Sequence, residues 1–153
     1  MRYLGLLLLI ISSSALFAET LKFENGWARL APPVSGMTAG YFKLTNTSKK
    51  DVTIVGAETD VSKKAEIHDM KMEKGAMSMF HLPDLLIKAG ESVELRPGGK
   101  HLMIMGLNKP LKEGQQVNVT LKLADGSSHS TALPVMRKAG KSAMKDHHKH
   151  MKH

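Results

Sequence analysis

Residues 65–80 read Ala65-Glu-Ile-His-Asp-Met-Lys-Met-Glu-Lys-Gly-Ala-Met-Ser-Met-Phe80, and the way this stretch folds decides the rest. As a helix, residues 61–72 would place Ala65, His68 and Met72 on one face. As strands, Glu66, His68, Met70 and Met72 alternate with Ala65, Ile67, Asp69 and Lys71, and Glu73-Lys-Gly75 becomes the loop of a hairpin into Ala76-Met-Ser-Met79. Two alternating runs around a glycine-containing loop favour the hairpin.

The neighbouring sequence agrees. Met37–Thr45 is β-branched and aromatic and is closed by the polar cluster Asn46-Thr-Ser-Lys-Lys50. Val52–Val55, Ser92–Leu95, His101–Met105 and Val117–Leu123 are further short runs between Gly, Pro, Asp or Asn breaks. Short strands at near-regular spacing predict an all-β sandwich or barrel of antiparallel strands. Only Asp84–Ala89 is expected to hold a helical turn.

Three segments follow. Residues 1–18 carry Arg2, an apolar run from Leu4 to Ile11 and a small-residue end at Ala18, the pattern of a secretory signal. The apolar run is too short for a transmembrane helix, and no later stretch is apolar enough to span a bilayer. Cleavage after Ala18 gives a mature start at Glu19, with Ala15 the alternative. Residues 19–136 form one domain of ordinary size. Residues 137–153, RKAGKSAMKDHHKHMKH, hold no branched aliphatic or aromatic side chain and read as a disordered tail rich in His, Met and Lys.

This division relocates the charge. The whole chain has 22 Lys+Arg against 14 Asp+Glu, a formal +8. Residues 19–136 hold 15 basic and 13 acidic side chains, so the domain is nearly neutral and the excess belongs mainly to the tail. With no basic run interleaved with aromatics, nucleic-acid binding is not expected. The chain has no Cys, which excludes disulfides, thiolate zinc, iron–sulfur and blue-copper sites, and a lipid-modified N-terminal Cys.

The chemistry lies in the methionines. Six of the eleven are Met70, Met72, Met77, Met79, Met103 and Met105, each two residues from another. On a strand, positions i and i+2 share a face, so His101-Leu-Met103 and His68-Asp-Met70 can each aim an imidazole and a thioether at one point. Taken singly, each methionine reads most simply as core packing, since Met fills irregular gaps well. The clustering argues the other way, because a core built for packing draws on Leu, Ile and Val. As ligands, soft uncharged thioethers select Cu(I), imidazole suits copper or zinc, and thioethers survive in an oxidising compartment where thiols do not. His81 and His129 have no partner at ligand spacing and are expected to be structural or exposed.

His68, Met79 and His101-x-Met103 are spaced as H-x10-M-x21-H-x-M, which resembles the signature of the periplasmic copper chaperones of the PCuAC type. Trp27-Ala-Arg29, Ala39-Gly-Tyr-Phe42, Glu66-Ile-His-Asp-Met70, Gly75-Ala-Met-Ser-Met79 and Pro97-Gly-Gly-Lys-His-Leu-Met103 resemble that family as well, and the likeness runs from about Gly26 to Val135. The resemblance implies a cupredoxin-like β-sandwich or barrel that binds one Cu(I) through His68, Met79, His101 and Met103. It implies delivery of copper to the dinuclear centre of cytochrome c oxidase, with a copper-accepting oxidase subunit or a Sco-type protein as partner. Met70 is an accessory candidate. Met144, His147, His148, His150, Met151 and His153 form a tail cluster suited to further copper, including Cu(II).

No nucleophile–base pair, phosphate loop or cofactor fingerprint stands out, so no enzyme is expected. The expected product is a soluble, monomeric, periplasmic copper carrier. Copper sequestration is the alternative within metal biology; an exported scaffold or adhesion module without metal is the alternative outside it.

Overall fold

The computed structural model describes residues 20–137. The expectations for the signal segment 1–18 and for the tail beyond Arg137 lie outside the described residues. Within them the chain forms ten strands: β1 (Leu21–Arg29), β2 (Met37–Asn46), β3 (Val52–Thr59), β4 (Ser62–Glu73), β5 (Ala76–His81), β6 (Leu85–Ile87), β7 (Ser92–Leu95), β8 (His101–Leu107), β9 (Gln116–Leu123) and β10 (Ser128–Met136). Seven of them close into a barrel in the order β4-β8-β2-β1-β10-β9-β3, with β3 returning to β4 at Ala57 and Ala65. The all-β expectation therefore holds and resolves to the barrel.

Strict alternation builds the wall. Val117, Val119, Leu121 and Leu123 of β9 point inward, as do Leu102 and Ile104 of β8 and Ala65 and Ile67 of β4. They meet Phe42 and Leu44 of β2, Ile54 of β3 and Leu133 of β10 in one apolar core. Asn46 ends β2 with no exposure. Its Nδ2 donates to the Lys50 and Ile87 carbonyls at 2.8 and 2.9 Å, and its Oδ1 accepts from the Ser48 N–H and hydroxyl. That network pins the turn after β2 to β6.

The β4–β5 pair is the hairpin expected from residues 65–80. Glu73 pairs with Ala76 across Lys74 and Gly75, whose φ values of 48° and 83° meet the type I′ requirement for positive φ at both central positions. β4 is long enough to do two jobs. Residues Ser62–His68 pair with β8, whereas from Asp69 onward the strand pairs only with β5. The hairpin tip thus projects past the barrel wall.

One expectation is overturned, and at two other places the fold overrides a local signal. Leu85–Ile87 is a strand rather than a helical turn: Leu85 and Ile87 are buried while Leu86 is exposed, a period of two. β1 contains Asn25-Gly26, a hairpin-turn signal, yet here it is a bulge, with Asn25 at φ 53° and the register to β2 shifting between Glu24 and Trp27. β10 contains Pro134, a strand breaker, but its parallel pairing to β1 begins only at Val135, where no proline N–H is needed.

Candidate metal centre

The inward-facing residues fix the outward ones. Because Leu102 and Ile104 are fully buried, His101, Met103 and Met105 must face the outside of the barrel; because Ala65 and Ile67 are buried, so must Glu66, His68 and Met70. Register then sets neighbours. His101 lies opposite His68, Met103 opposite Glu66, Met70 opposite Met79, and His68 opposite His81. On the far side of β8, Met103 faces Ala39 and Met105 faces Met37 of β2.

An open cavity of about 370 Å³ lies on this face, lined by His101, Met103, Met79 and Met70, with Met37, Arg29 and Tyr41 on its β1–β2 side. Tyr41 is almost wholly buried, with the Trp27 ring centroid 4.7 Å from its own and the Arg29 guanidinium 5.4 Å from its centroid. Burial raises the Tyr41 phenol above its ordinary value, against a smaller opposing effect of Arg29.

His101 is only 7% exposed, and both ring nitrogens have a close neighbour. Nδ1 lies 2.8 Å from the Gly99 carbonyl, which can only accept, so Nδ1 carries the proton. In neutral imidazole that leaves a lone pair on Nε2, and Nε2 sits 3.2 Å from Met79 Sδ. Two lone-pair atoms face one another with no proton between them, the arrangement a soft cation satisfies.

His68 stands one strand away, its ring centroid 6.0 Å from that of His101. Its Nε2 lies 3.1 Å from Glu66 Oε2, and its Nδ1 is buried without a hydrogen-bond partner. Glu66 is held below the ordinary carboxylate range by hydrogen bonds from Lys64 and His68, against the opposing effect of burial, so it accepts and Nε2 donates. The free lone pair of His68 is therefore on Nδ1. The structure brings Met79, His101 and Met103 around one cavity, together with Met70; His68, opposite His101 on the adjoining strand, does not line it.

The two nearby carboxylates are spoken for. Glu66 is bridged by Lys64 at 2.7 Å, and Asp69 by Lys100 at 2.6 Å. Among the described residues no three His, Asp or Glu side chains are grouped to hold a metal. The uncharged donors on this face are the imidazoles and thioethers.

None of the eight described methionines belongs to the buried core: Met72 and Met77 are exposed, and Met70 and Met105 are half-buried. His81, expected to lack a partner, lies opposite His68 with ring centroids 5.6 Å apart and Nε2 3.9 Å from Glu66 Oε1. Its position two residues beyond Met79 on the same strand was the available signal. Met37 carried none, because only the β2–β8 register brings it to the cavity. His129 is half-buried on β10, opposite Leu121.

The closed all-β barrel is the fold of PCuAC domains. Residues 21–135 match the family described as "Putative lipoprotein LpqE-like", and the chain belongs to that family. A protein of Leifsonia xyli described as "Putative lipoprotein Lxx21020" is 35% identical over 119 residues, covering 77% of this chain and 70% of that one. The solution structure of the Cu(I) form of DR1885 from Deinococcus radiodurans matches with a TM-score of 0.60 at 32% identity, over 86% of each chain. A copper-bound PCuAC domain from PmoF2 matches with a TM-score of 0.65 over 78% of this chain and 95% of that domain. At 15% identity that likeness concerns the fold. The PCuAC resemblance read from the sequence is borne out. The lipoprotein descriptions meet one obstacle, since these 153 residues contain no Cys to carry a lipid.

Proposed function

We propose that the chain is an exported copper chaperone that holds one Cu(I) through His68 Nδ1, Met79, His101 Nε2 and Met103, and passes it on by ligand exchange. The observation that carries this reading is the Nε2–Sδ approach of 3.2 Å between His101 and Met79, with Nδ1 of the same ring tied to the Gly99 carbonyl. The Cu(I) form of DR1885 supports copper as the cargo. Neutral imidazoles and thioethers suit a monovalent ion and leave it exchangeable to a partner with thiolates.

The acceptor in this reading is a copper-binding subunit of cytochrome c oxidase or a Sco-type protein, met in the periplasm after residues 1–18 are removed. Residues 137–153 collect further copper, including Cu(II), through Met144, His147, His148, His150, Met151 and His153. The task is binding and transfer, with no catalytic step.

An anaerobic titration of the full chain against a chromogenic Cu(I) chelator tests the site. His101→Ala and Met103→Ala are expected to weaken Cu(I) binding sharply without altering the barrel, because both side chains face outward. Undiminished affinity in both variants refutes the ligand assignment. Transfer from the loaded protein to an apo-oxidase copper domain separates delivery from sequestration, which predicts no transfer.

A further inference from the structure

The β4–β5 hairpin carries a thioether surface that the four proposed ligands do not explain. Met70 pairs with Met79 and Met72 with Met77, and two-residue spacing within each strand puts all four on one face. Directly opposed Cβ atoms in such pairs are about 4.5–5.5 Å apart. With three rotatable bonds each, these side chains can converge their sulfurs on one ion.

Packing does not account for them. Met72, Met77 and Met79 are 64%, 50% and 48% exposed, on the part of the hairpin that has passed the barrel wall. The opposite face of the same hairpin is polar or partnered: Asp69 binds Lys100, and Lys71 lies over the Phe80 ring at 5.2 Å. The hairpin thus separates its thioethers from its charges. The three exposed methionines lose side-chain entropy if ordered and bury little, and Met70 beside them is only half-buried, so the face is costly unless the sulfurs have a ligand.

We propose that Met70, Met72, Met77 and Met79 form a second, outer station for a soft monovalent cation, Cu(I) or Ag(I), contiguous with the cavity at His101 through the shared Met79. The ion enters on Met72 and Met77. It moves inward as dative bonds to the outer sulfurs break and bonds to Met70 and Met79 form; its oxidation state is unchanged throughout. The carboxylates of the hairpin, Asp69 and Glu73, are on its other face and paired with Lys100 and Lys71, so the outer station offers no hard donor to a divalent ion. The inference draws on the Cu(I) reading only through Met79, and its decisive residues, Met72 and Met77, are outside the proposed inner site.

The test is a titration of the full chain, labelled with 13C at the methionine methyls, with Ag(I) as a redox-inert probe. Resonances are assigned by single Met→Leu substitutions. The expected result is a shift of the Met103 methyl with the first equivalent on this domain and a joint shift of the Met72 and Met77 methyls with a later one. By equilibrium dialysis, Met72→Leu/Met77→Leu should lose one bound equivalent, while its Met103 methyl still shifts as in the parent. The proposal is overturned if the Met72 and Met77 methyls stay fixed at excess Ag(I), or if the double variant binds as many equivalents as the parent. Shifts at Met72 and Met77 without any at Met103 support the outer station and count against the inner site alone.

Discussion

Replacing Glu66 by Ala tests what would orient His68 as the proposed copper ligand. The carboxylate accepts from His68 Nε2 at 3.1 Å, and both side chains are largely shielded, at 13% and 19% exposure. Removing it deletes the acceptor that keeps the proton on Nε2 and the lone pair on the buried Nδ1. The ring is then free to exchange tautomers or turn. Loss of such an orienting partner typically costs 10–100-fold in metal affinity, or about 1.4–2.7 kcal/mol. The fold should not suffer, because Lys64, the other main partner of Glu66, is itself 62% exposed and an exposed pair contributes under about 1 kcal/mol. Glu66→Gln keeps a carbonyl oxygen at the same place and should lose less than Glu66→Ala. The assay is anaerobic competition with a chromogenic Cu(I) chelator, with circular dichroism as the check on folding. A folded Glu66→Ala protein that binds Cu(I) within about twofold of the parent would refute the tautomer argument, and with it Nδ1 as the donor atom of His68.

Two further outcomes concern the scaffold. Asn46→Ala leaves the buried Ile87 carbonyl and the Ser48 N–H without their side-chain partner and takes one of two side-chain donors from the Lys50 carbonyl, and is expected to cost about 2–4 kcal/mol in urea unfolding. A cost below about 0.5 kcal/mol means that the network does not hold the β2 end to β6. At Asp69 burial is the largest influence and raises the carboxyl. Hydrogen bonds from Lys100 and from the Met70 N–H outweigh it, so the group lies below its ordinary 3.8. A folded-state value below the unfolded one means stability that is full above the unfolded value and lost as pH falls through the folded one. Asp69→Asn should therefore flatten the acid limb of stability below about pH 4 while destabilising the protein near neutrality, and an unchanged acid limb contradicts the pairing.

How much of this was legible in the sequence depended on how local the signal was. The β4–β5 hairpin and β8 were readable because side-chain direction alternates strictly and Lys74-Gly75 is a compact loop. β1 was hidden, because Asn25-Gly26 is a turn signal wherever it stands and only tertiary packing makes it a bulge. A Cβ on Gly26 would meet Leu133 Cδ2 at 2.6 Å, so the glycine answers to β10, more than a hundred residues away in sequence. Likewise Leu85-Leu-Ile87 has the composition of either a strand or a helical turn, and pairing with Val52–Ile54 of β3 settled it. At the site, His101-x-Met103 was legible as a pair on one strand. The roles of Gly99, Glu66, His81 and Met37 depend on cross-strand register or on a loop carbonyl, which no local pattern encodes.

The division of the site between barrel and hairpin bears on release. His101 and Met103 share their strand with Leu102 and Ile104, which are fully buried, so moving either donor means breaking the core. Met79 is on β5, which pairs with β4 alone and ends the sheet order. Segments with few buried contacts open at a fraction of the global unfolding free energy. Opening of the β4–β5 tip would withdraw one thioether while the imidazole–thioether pair on β8 keeps its geometry, so a partner could replace Met79 before competing for the remaining ligands. An exchange that substitutes one ligand at a time avoids a bare ion, and for the proposed site this sheet arrangement implies an order in which the edge-strand sulfur would leave first and the core-anchored pair last.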